Sequence, residues 1–298
     1  MQRFEFLRDM TAADYHADPC ETPSLSATCA KTLIERSPQR AHLEHPKFGG
    51  TRRVSSSSMN RGTIVHSLVL EQPLDVQVLD YPDYRTKAAQ HERDAALNAG
   101  KTPVLEREMG PYYVMASTIR GHIANFGIAL DGQSEGTVLW EDEDDNGFSV
   151  KCRSRMDHCK VKDGTFWVID LKTTSDASPK TLNRHILNFG YDLQAAAYTR
   201  AIANVAPEWA GRIKFLFLFA EDEPPYPVTP ILLDGAFMAL GLSKWRRAVN
   251  LWSQCLRSGI WPGYASETLF AHPPQWAIRE EIEASPSHSA ELGGYLEF

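Results

Sequence analysis

The chain is organised around one stretch, which reads Trp167-Val168-Ile169-Asp170-Leu171-Lys172-Thr173-Thr174. Its aromatic and β-branched residues predict a β-strand. Because side chains alternate along a strand, Asp170 and Lys172 share one face, while Ile169 and Leu171 point to the other. The pattern therefore predicts a carboxylate and an amine on one surface of a sheet.

An acidic residue two positions before a lysine is weak evidence for a functional site on its own, because the chain has 38 acidic residues and such pairs arise by chance. The context strengthens it. Asp157 is predicted to close the preceding strand, and a helix after the sheet carries Gln194 and Tyr198 one turn apart. Together these features favour a single site built on two neighbouring strands.

Composition limits the possible classes of protein. The 298 residues, of which 43% are hydrophobic, are enough for one large domain with a filled core. The absence of a long apolar run and of a signal-peptide pattern predicts a cytoplasmic protein with no membrane partner. Five cysteines without a Cys-x-x-Cys pair indicate free thiols, and a net charge of −7 argues against indiscriminate coating of nucleic acid.

The order of the predicted elements defines the fold class. Helices come first, then three antiparallel strands, a helix, two further strands and a long helix opened by Asp234. This order predicts an α/β (α+β) fold with a central mixed sheet flanked by helices. We expect a single domain over residues 1–298, divided into a lead-in (1–25), a helical elaboration (26–130), a core (131–262) and a tail (263–298).

An acidic run, Glu141 to Gly147, separates the first two predicted strands. Its spacing lacks the alternation of a calcium-binding loop, and Asn146-Gly147 is a strong turn signal. The run is therefore predicted to be a hairpin turn.

The predicted site suits phosphodiester hydrolysis. Hard oxygen ligands bind Mg²⁺ or Mn²⁺, so Asp157 and Asp170 are candidate metal ligands, with the Leu171 carbonyl as an extra one. Lys172 would orient or deprotonate water and stabilise developing charge.

The remaining candidates each have a structural alternative. Glu135 is either a third metal ligand or a solvated loop acid, and His66 lies beside an apolar helical stripe where structural histidines are common. Gln194 and Tyr198 either reach the site or form a helix surface. The candidate DNA contacts, each explained equally well by ordinary strand or surface roles, are Arg61, Arg155, Thr173 and Thr174.

The motifs together resemble the RecE (exonuclease VIII) family of the PD-(D/E)xK nuclease superfamily. The resemblance covers roughly residues 25 to 265 and is carried by Arg61-Gly62-x-x-x-His66-x-Leu68-x-Leu70-Glu71, Glu135, Arg155-x-Asp157, Asp170-Leu171-Lys172-Thr173-Thr174-x-Asp176-Ala177-Ser178-Pro179 and Tyr191-x-x-Gln194-x-Ala196-x-Tyr198.

This resemblance implies a PD-(D/E)xK core and a Mg²⁺-dependent exonuclease, with Mn²⁺ as a substitute. Such an enzyme digests one strand of duplex DNA from its 5′ end and leaves a 3′ overhang for a RecT-like single-strand annealing protein. It also implies a bacterial or phage origin and a homo-oligomer. By position, the implied catalytic residues are His66, Asp157, Asp170 and Lys172, supported by Glu135, Gln194 and Tyr198, with His66 also a metal ligand.

Two alternatives stay open from the sequence. One is an endonuclease of the same fold that acts on particular DNA structures. The other is a catalytically silent DNA-binding protein that serves as a recombination scaffold.

Overall fold

The structure is a computed structural model, and it describes residues 10–50, 57–74, 76–285 and 289–295, without the side chains of 57–60 and 289–290. The chain divides into two compact units, Met1–Trp261 and Pro262–Phe298. The second unit contains two helices, Gln275–Ala284 and Ser289–Gly293. No described helix is long and apolar enough to cross a lipid bilayer.

The first unit combines helices and strands in the predicted order. Its helices are α1 (Ala12–His16), α2 (Ala27–Glu35), α3 (Pro38–Glu44), α4 (Ser57–Val69), α5 (Lys87–Asn98), α6 (Glu106–Asn125), α7 (Pro179–Phe189), α8 (Tyr191–Val205) and α9 (Gly235–Ser258). Its strands are β1 (Val76–Leu79), β2 (Thr102–Leu105), β3 (Gln133–Glu143), β4 (Ser149–Lys162), β5 (Thr165–Thr174), β6 (Ile213–Glu221) and β7 (Val228–Leu232).

A mixed sheet in the order β3-β4-β5-β6-β7 forms the centre of this unit. The pairs β3–β4, β4–β5 and β6–β7 are antiparallel, whereas β5 and β6 are parallel. The helices α7 and α8 supply the crossover that a parallel pair requires. The predicted mixed sheet flanked by helices is confirmed.

Each face of the sheet is covered by its own layer of helices. One face packs against α2, α8 and α9 around Phe217, Trp245 and Trp252, which are almost fully buried. The other face packs Ile169 and Leu171 against apolar residues of α4 and α6. Burial of apolar side chains on both faces stabilises the sheet and explains the continuously apolar sequence of β6.

The predicted alternation along β5 is also confirmed. Ile169 and Leu171 belong to the cluster under α4 and α6, whereas Val168 lies in the cluster under α8 and α9. Asp170 points to the same face of the sheet as Val168 and is fully buried beneath α8. A buried carboxylate lowers the stability of the folded state unless it is hydrogen-bonded or paired with a cation.

Two short strands were missed from the sequence. β1 and β2 form a parallel pair in which Val76 faces Thr102 and Leu79 faces Leu105. Pro103, which lies in β2, is a residue that usually argues against a strand, because it cannot donate a backbone hydrogen bond. The strand is tolerated because this sheet has only the two strands within the described residues.

The described part of the predicted lead-in is attached to the central sheet. Within its described part, Leu25 pairs with β4 through hydrogen bonds to Lys151 and Arg153. Asp18 is buried, accepts hydrogen bonds from Ser24 and lies 3.2 Å from an Arg153 nitrogen. These contacts attach residues 18–25 to the sheet.

The acidic run is a correction to the predicted turn. β3 continues through Glu143, and the turn itself begins at Asp144, whose amide donates to the Phe148 carbonyl. Asp142 is buried because Arg200 donates two hydrogen bonds to it and the Trp245 ring nitrogen donates another at 2.7 Å. These partners lie far away in the sequence, so the local pattern did not show them.

We expect Asp142→Ala to lower the free energy of unfolding by about 2 kcal/mol, because it leaves Arg200 and the Trp245 ring nitrogen without an acceptor. The Arg200 side chain is 34% exposed and is partly rehydrated, which limits the loss. Urea denaturation measures the effect. The exposed neighbour Glu143 is the matched control, and a Glu143→Ala loss as large as that of Asp142→Ala would contradict the assignment.

Candidate active site

The candidate site lies where β4 and β5 separate. Their pairing runs from Lys162 opposite Thr165 to His158 opposite Ile169. Beyond that point the Leu171 amide donates to the side chain of Asp157 at 2.9 Å instead of to a backbone carbonyl. The prediction that Asp157 closes its strand is wrong, because β4 continues to Lys162. Asp157 instead marks the point at which β4 and β5 are no longer paired.

The edge strand β3 is also irregular at this level. Ser134 pairs with His158 and Gly136 pairs with Met156. Glu135 and Asp157 lie between these two pairs but do not form a regular β-sheet pair with each other. Glu135 has a φ of 56°, an uncommon conformation for a residue with a side chain. Its carboxylate accepts a hydrogen bond from Arg155 Nε at 2.7 Å and lies 3.5 Å from His66 Nδ1.

Helix α4 brings His66 to the same place. His66 Nε2 lies 2.8 Å from Asp157 Oδ2. The helix approaches β5 closely, since a Cβ on Gly62 would lie 3.2 Å from Thr173 Oγ1. Burial alone would lower the pKa of His66, but Asp157, Glu135 and Asp170 outweigh it and raise this pKa to about 9.

Asp170 is the most buried acid of the site, with no exposed surface. Gln194 Nε2 of α8 donates to its Oδ2 at 2.7 Å, and Lys172 Nζ lies 2.5 Å from its Oδ1. Burial and the charge of Asp157 raise the pKa of Asp170 to about 6. By contrast, His66, Lys172 and the Leu171 amide overcome burial and hold the pKa of Asp157 below its usual range.

Lys172 is held from two sides. Its ammonium contacts Asp170 and lies 5.0 Å from the centre of the Tyr191 ring. Burial disfavours its charge, but Asp170, Asp157 and Tyr191 together raise the pKa of Lys172 above its ordinary value. Tyr191 was part of the recognised motif, yet no role followed from the sequence, because a ring that stacks on a lysine leaves no spacing signal.

We expect Tyr191→Leu to lower the free energy of unfolding by about 1 to 2 kcal/mol, because it removes a desolvated cation–π contact with Lys172. Tyr191→Phe keeps the ring and is expected to retain most of the stability. Urea denaturation measures both variants. Equal losses in the two variants would show that the hydroxyl, not the ring, is what matters.

The structure also places the other predicted site residues. Tyr198 is buried beside Phe215, one turn from Gln194, and does not line an open surface. Arg155 is occupied, because it donates to Glu135, Thr137 and the Met10 carbonyl. Its geometry supports positioning of Glu135, and the predicted phosphate contact stays a prediction.

Two further candidate DNA contacts lie at the end of β5. The hydroxyl of Thr174 takes part in the turn that follows, since it accepts from the Asp176 amide and donates to the Asp176 carbonyl. Thr173 faces α4 at Gly62. Arg61, on the same helix, donates to the carbonyl of Asp222 at 3.2 Å.

The donor set is compatible with a hard divalent cation. Asp157, Asp170 and Glu135 supply carboxylate oxygens, and the buried Asp170 Oδ1 has Lys172 Nζ as its ion-pair partner. The Leu171 carbonyl faces the same gap as its amide, as the geometry of an extended strand requires. Within the described residues, however, no three His, Cys, Asp or Glu side chains form a preorganised metal cluster.

Positive side chains occupy this gap in the structure. His66 lies on Asp157 and Lys172 on Asp170, so each carboxylate has a cationic partner. These contacts neutralise two carboxylates that raise the energy of one another's charged form. A His66 ring that carries a proton on Nε2 cannot also ligate a metal through that atom.

A sheet with this topology and an Asp, Asp and Lys set at its separated strands defines the PD-(D/E)xK class. The sequence matches a family described as a PDDEXK-like domain of unknown function (DUF3799) over residues 28–270, and the chain belongs to this family. No curated protein matches the sequence. The predicted superfamily is confirmed, and the match agrees with the RecE-like resemblance.

The comparison with solved structures found matches that include three proteins named as exonucleases. A "putative exonuclease" from Eubacterium rectale superposes with a TM-score of 0.58 at 13% identity, covering 89% of this chain and 96% of that one. LHK-Exo in complex with dAMP has a TM-score of 0.36 at 15% identity, covering 83% of this chain and 98% of that one. A phage-related exonuclease from Haemophilus somnus 129PT has a TM-score of 0.31 at 13% identity, with coverages of 66% and 95%.

The first of these comparisons supports the fold.

Proposed function

We propose that this protein is a metal-dependent nuclease that digests linear duplex DNA from its ends. The observation that carries the proposal is the convergence of Asp157, Asp170 and Lys172 at the point where β4 and β5 separate. Paired carboxylates beside an ammonium are the groups that phosphodiester hydrolysis needs.

Each side chain has a defined part in this proposal. Asp157, Asp170 and the Leu171 carbonyl would hold the divalent cation, with Glu135 nearby, and His66 would join them only after losing the proton it shares with Asp157. When bound, Mg²⁺ supplies a Lewis acid for the phosphoryl oxygen. Lys172 stabilises the negative charge that develops on the phosphoryl oxygens, and Gln194 keeps the Asp170 carboxylate oriented towards the gap.

The direction of digestion is the finer part of the proposal. The RecE-like motifs favour hydrolysis from the 5′ end, which leaves a 3′ single strand. That product is the substrate of a single-strand annealing protein, so the proposal includes a RecT-like partner. It also includes a homo-oligomeric assembly and a cytoplasmic location. The alternative with the same residues is an endonuclease.

Linear duplex DNA labelled at the 5′ end or at the 3′ end tests this proposal, with Mg²⁺ and with chelator. We expect early release of the 5′ label as mononucleotide in Mg²⁺ and no release in chelator. Early release of the 3′ label would reverse the proposed direction. Cleavage of closed circular DNA would favour the endonuclease, and tight binding without turnover would favour the silent scaffold.

A further inference from the structure

A cavity of about 360 Å³ is lined by residues of α4, α6 and the connection of β6 to β7. This volume falls within the roughly 300 to 1,000 Å³ of small-molecule sites. None of Asp157, Asp170 and Lys172 lines it. The lining residues that matter here are Arg61, Arg107, Pro111, Tyr112, Met115 and Tyr226.

The floor of the cavity is apolar and aromatic. Tyr112 and Tyr226 are half-buried and pack against the same apolar cluster under α4 and α6, together with buried Met115. Tyr226 has a φ of 56°, which is uncommon for an aromatic residue and persists only where its surroundings hold it. Its amide donates to the Glu223 carbonyl, which helps to hold the ring at the cavity.

The charged residues of the cavity lining are Arg61, Arg107, Glu108 and Asp222, which together carry no net charge. Arg107 is exposed and forms no ion pair with any other described residue. The two acids of the rim are engaged: Glu108 accepts from the Leu105 amide, and Asp222 lies 3.4 Å from Arg61. An apolar aromatic floor beside a free guanidinium suits a flat heterocycle attached to a phosphate.

Hydrogen bonds link the lining of the cavity to the end of β5. Arg61 donates to the Asp222 carbonyl, and the Asp222 amide donates to the carbonyl of Thr174, the last residue of β5. Thr174 lies four residue steps along β5 from Asp170, or about 13 Å at about 3.3 Å per residue. A strand of B-form DNA covers that distance in about four nucleotides.

We propose that this cavity binds one base of a DNA strand, a few nucleotides from the phosphate held at Asp170. The base stacks on Tyr112 and Tyr226, and Arg107 contacts a neighbouring phosphate. The inference rests on the proposed function and assigns it a second subsite.

The test measures equilibrium binding to the full chain in chelator, so that hydrolysis plays no part. The probes are a short single-stranded oligodeoxynucleotide and a sugar-phosphate oligomer of the same length without bases. Tyr112→Ala is expected to weaken binding of the first probe about tenfold and to leave the second unchanged. Arg107→Glu is expected to weaken both, and because Arg107 is exposed this variant keeps the fold.

Tyr113 provides the matched control, because it is the next residue on α6 and its side chain is 53% exposed. Tyr113→Ala is expected to bind both probes as the wild type does. Deoxyadenosine monophosphate distinguishes a strand from a free nucleotide: if it binds in a Tyr112-dependent manner while the oligodeoxynucleotide does not, the strand subsite is excluded.

The outcomes separate this inference from the proposed function. Wild-type binding by both Tyr112→Ala and Arg107→Glu, in a protein that digests DNA, would overturn the subsite alone. Tyr112-dependent binding in a protein that digests nothing would retain the subsite and overturn the nuclease.

Discussion

Lys172→Met is expected to lower the rate of DNA digestion by about 10² to 10³-fold, the usual cost of removing one group that stabilises a developing charge. Lys172 lies 2.5 Å from Asp170, beside the gap in which the phosphate would sit. Methionine keeps the length and apolar stem of the side chain but has no charge. Initial rates of nucleotide release from linear duplex DNA in Mg²⁺ measure the loss.

Lys244→Met is the matched control for this variant. Lys244 pairs with a fully buried Asp192 at 2.7 Å, and its side chain is 20% exposed, as is that of Lys172. Each variant therefore leaves one buried carboxylate without its lysine, at a similar cost in stability. Equal loss of digestion in both variants would show that Lys172 acts only through the fold.

Gly241→Ala is expected to lower the free energy of unfolding by about 3 kcal/mol. A Cβ at this position of α9 would lie 2.0 Å from the backbone oxygen of Asp192 in α8, so the two helices would have to separate. An alanine in a helix is otherwise favourable by up to about 1 kcal/mol relative to glycine. A loss of stability in place of the gain that alanine usually gives would therefore show that α8 and α9 are in close contact at Gly241.

Gly235→Ala in the first turn of the same helix is the control, because a Cβ there meets nothing within 4 Å. It is expected to be neutral or stabilising in urea denaturation. Since α8 also carries Gln194, which orients Asp170, Gly241→Ala should slow digestion as well. Stability equal to that of the wild type would contradict the close contact of α8 and α9.

Local patterns in the sequence were enough to predict much of the sheet and its helices. Alternation placed Asp170 and Lys172 opposite Ile169 and Leu171, and Asp234 was correctly identified as the residue that caps the long helix α9. These features depend on residues a few positions apart, which is the range over which strand and helix periodicity act.

The arrangement of the site depends on contacts between distant residues. Nothing near Asp157 in the sequence shows that β5 will donate the Leu171 amide to its side chain, or that Glu135 will leave the register. Burial of Asp142 likewise depends on Arg200 and Trp245. The catalytic and metal-binding roles of the site residues stay predictions.

The most direct test of the account is a double-mutant cycle on Asp157 and Asp170, with the rate of mononucleotide release from linear duplex DNA in Mg²⁺ as the readout. Residues that act as one unit give strongly non-additive losses. We predict that Asp157→Asn and Asp170→Asn each abolish most of the activity and that the double variant is little worse than either. Wild-type rates in either single variant, or fully additive losses, would contradict a single hydrolytic centre at this gap.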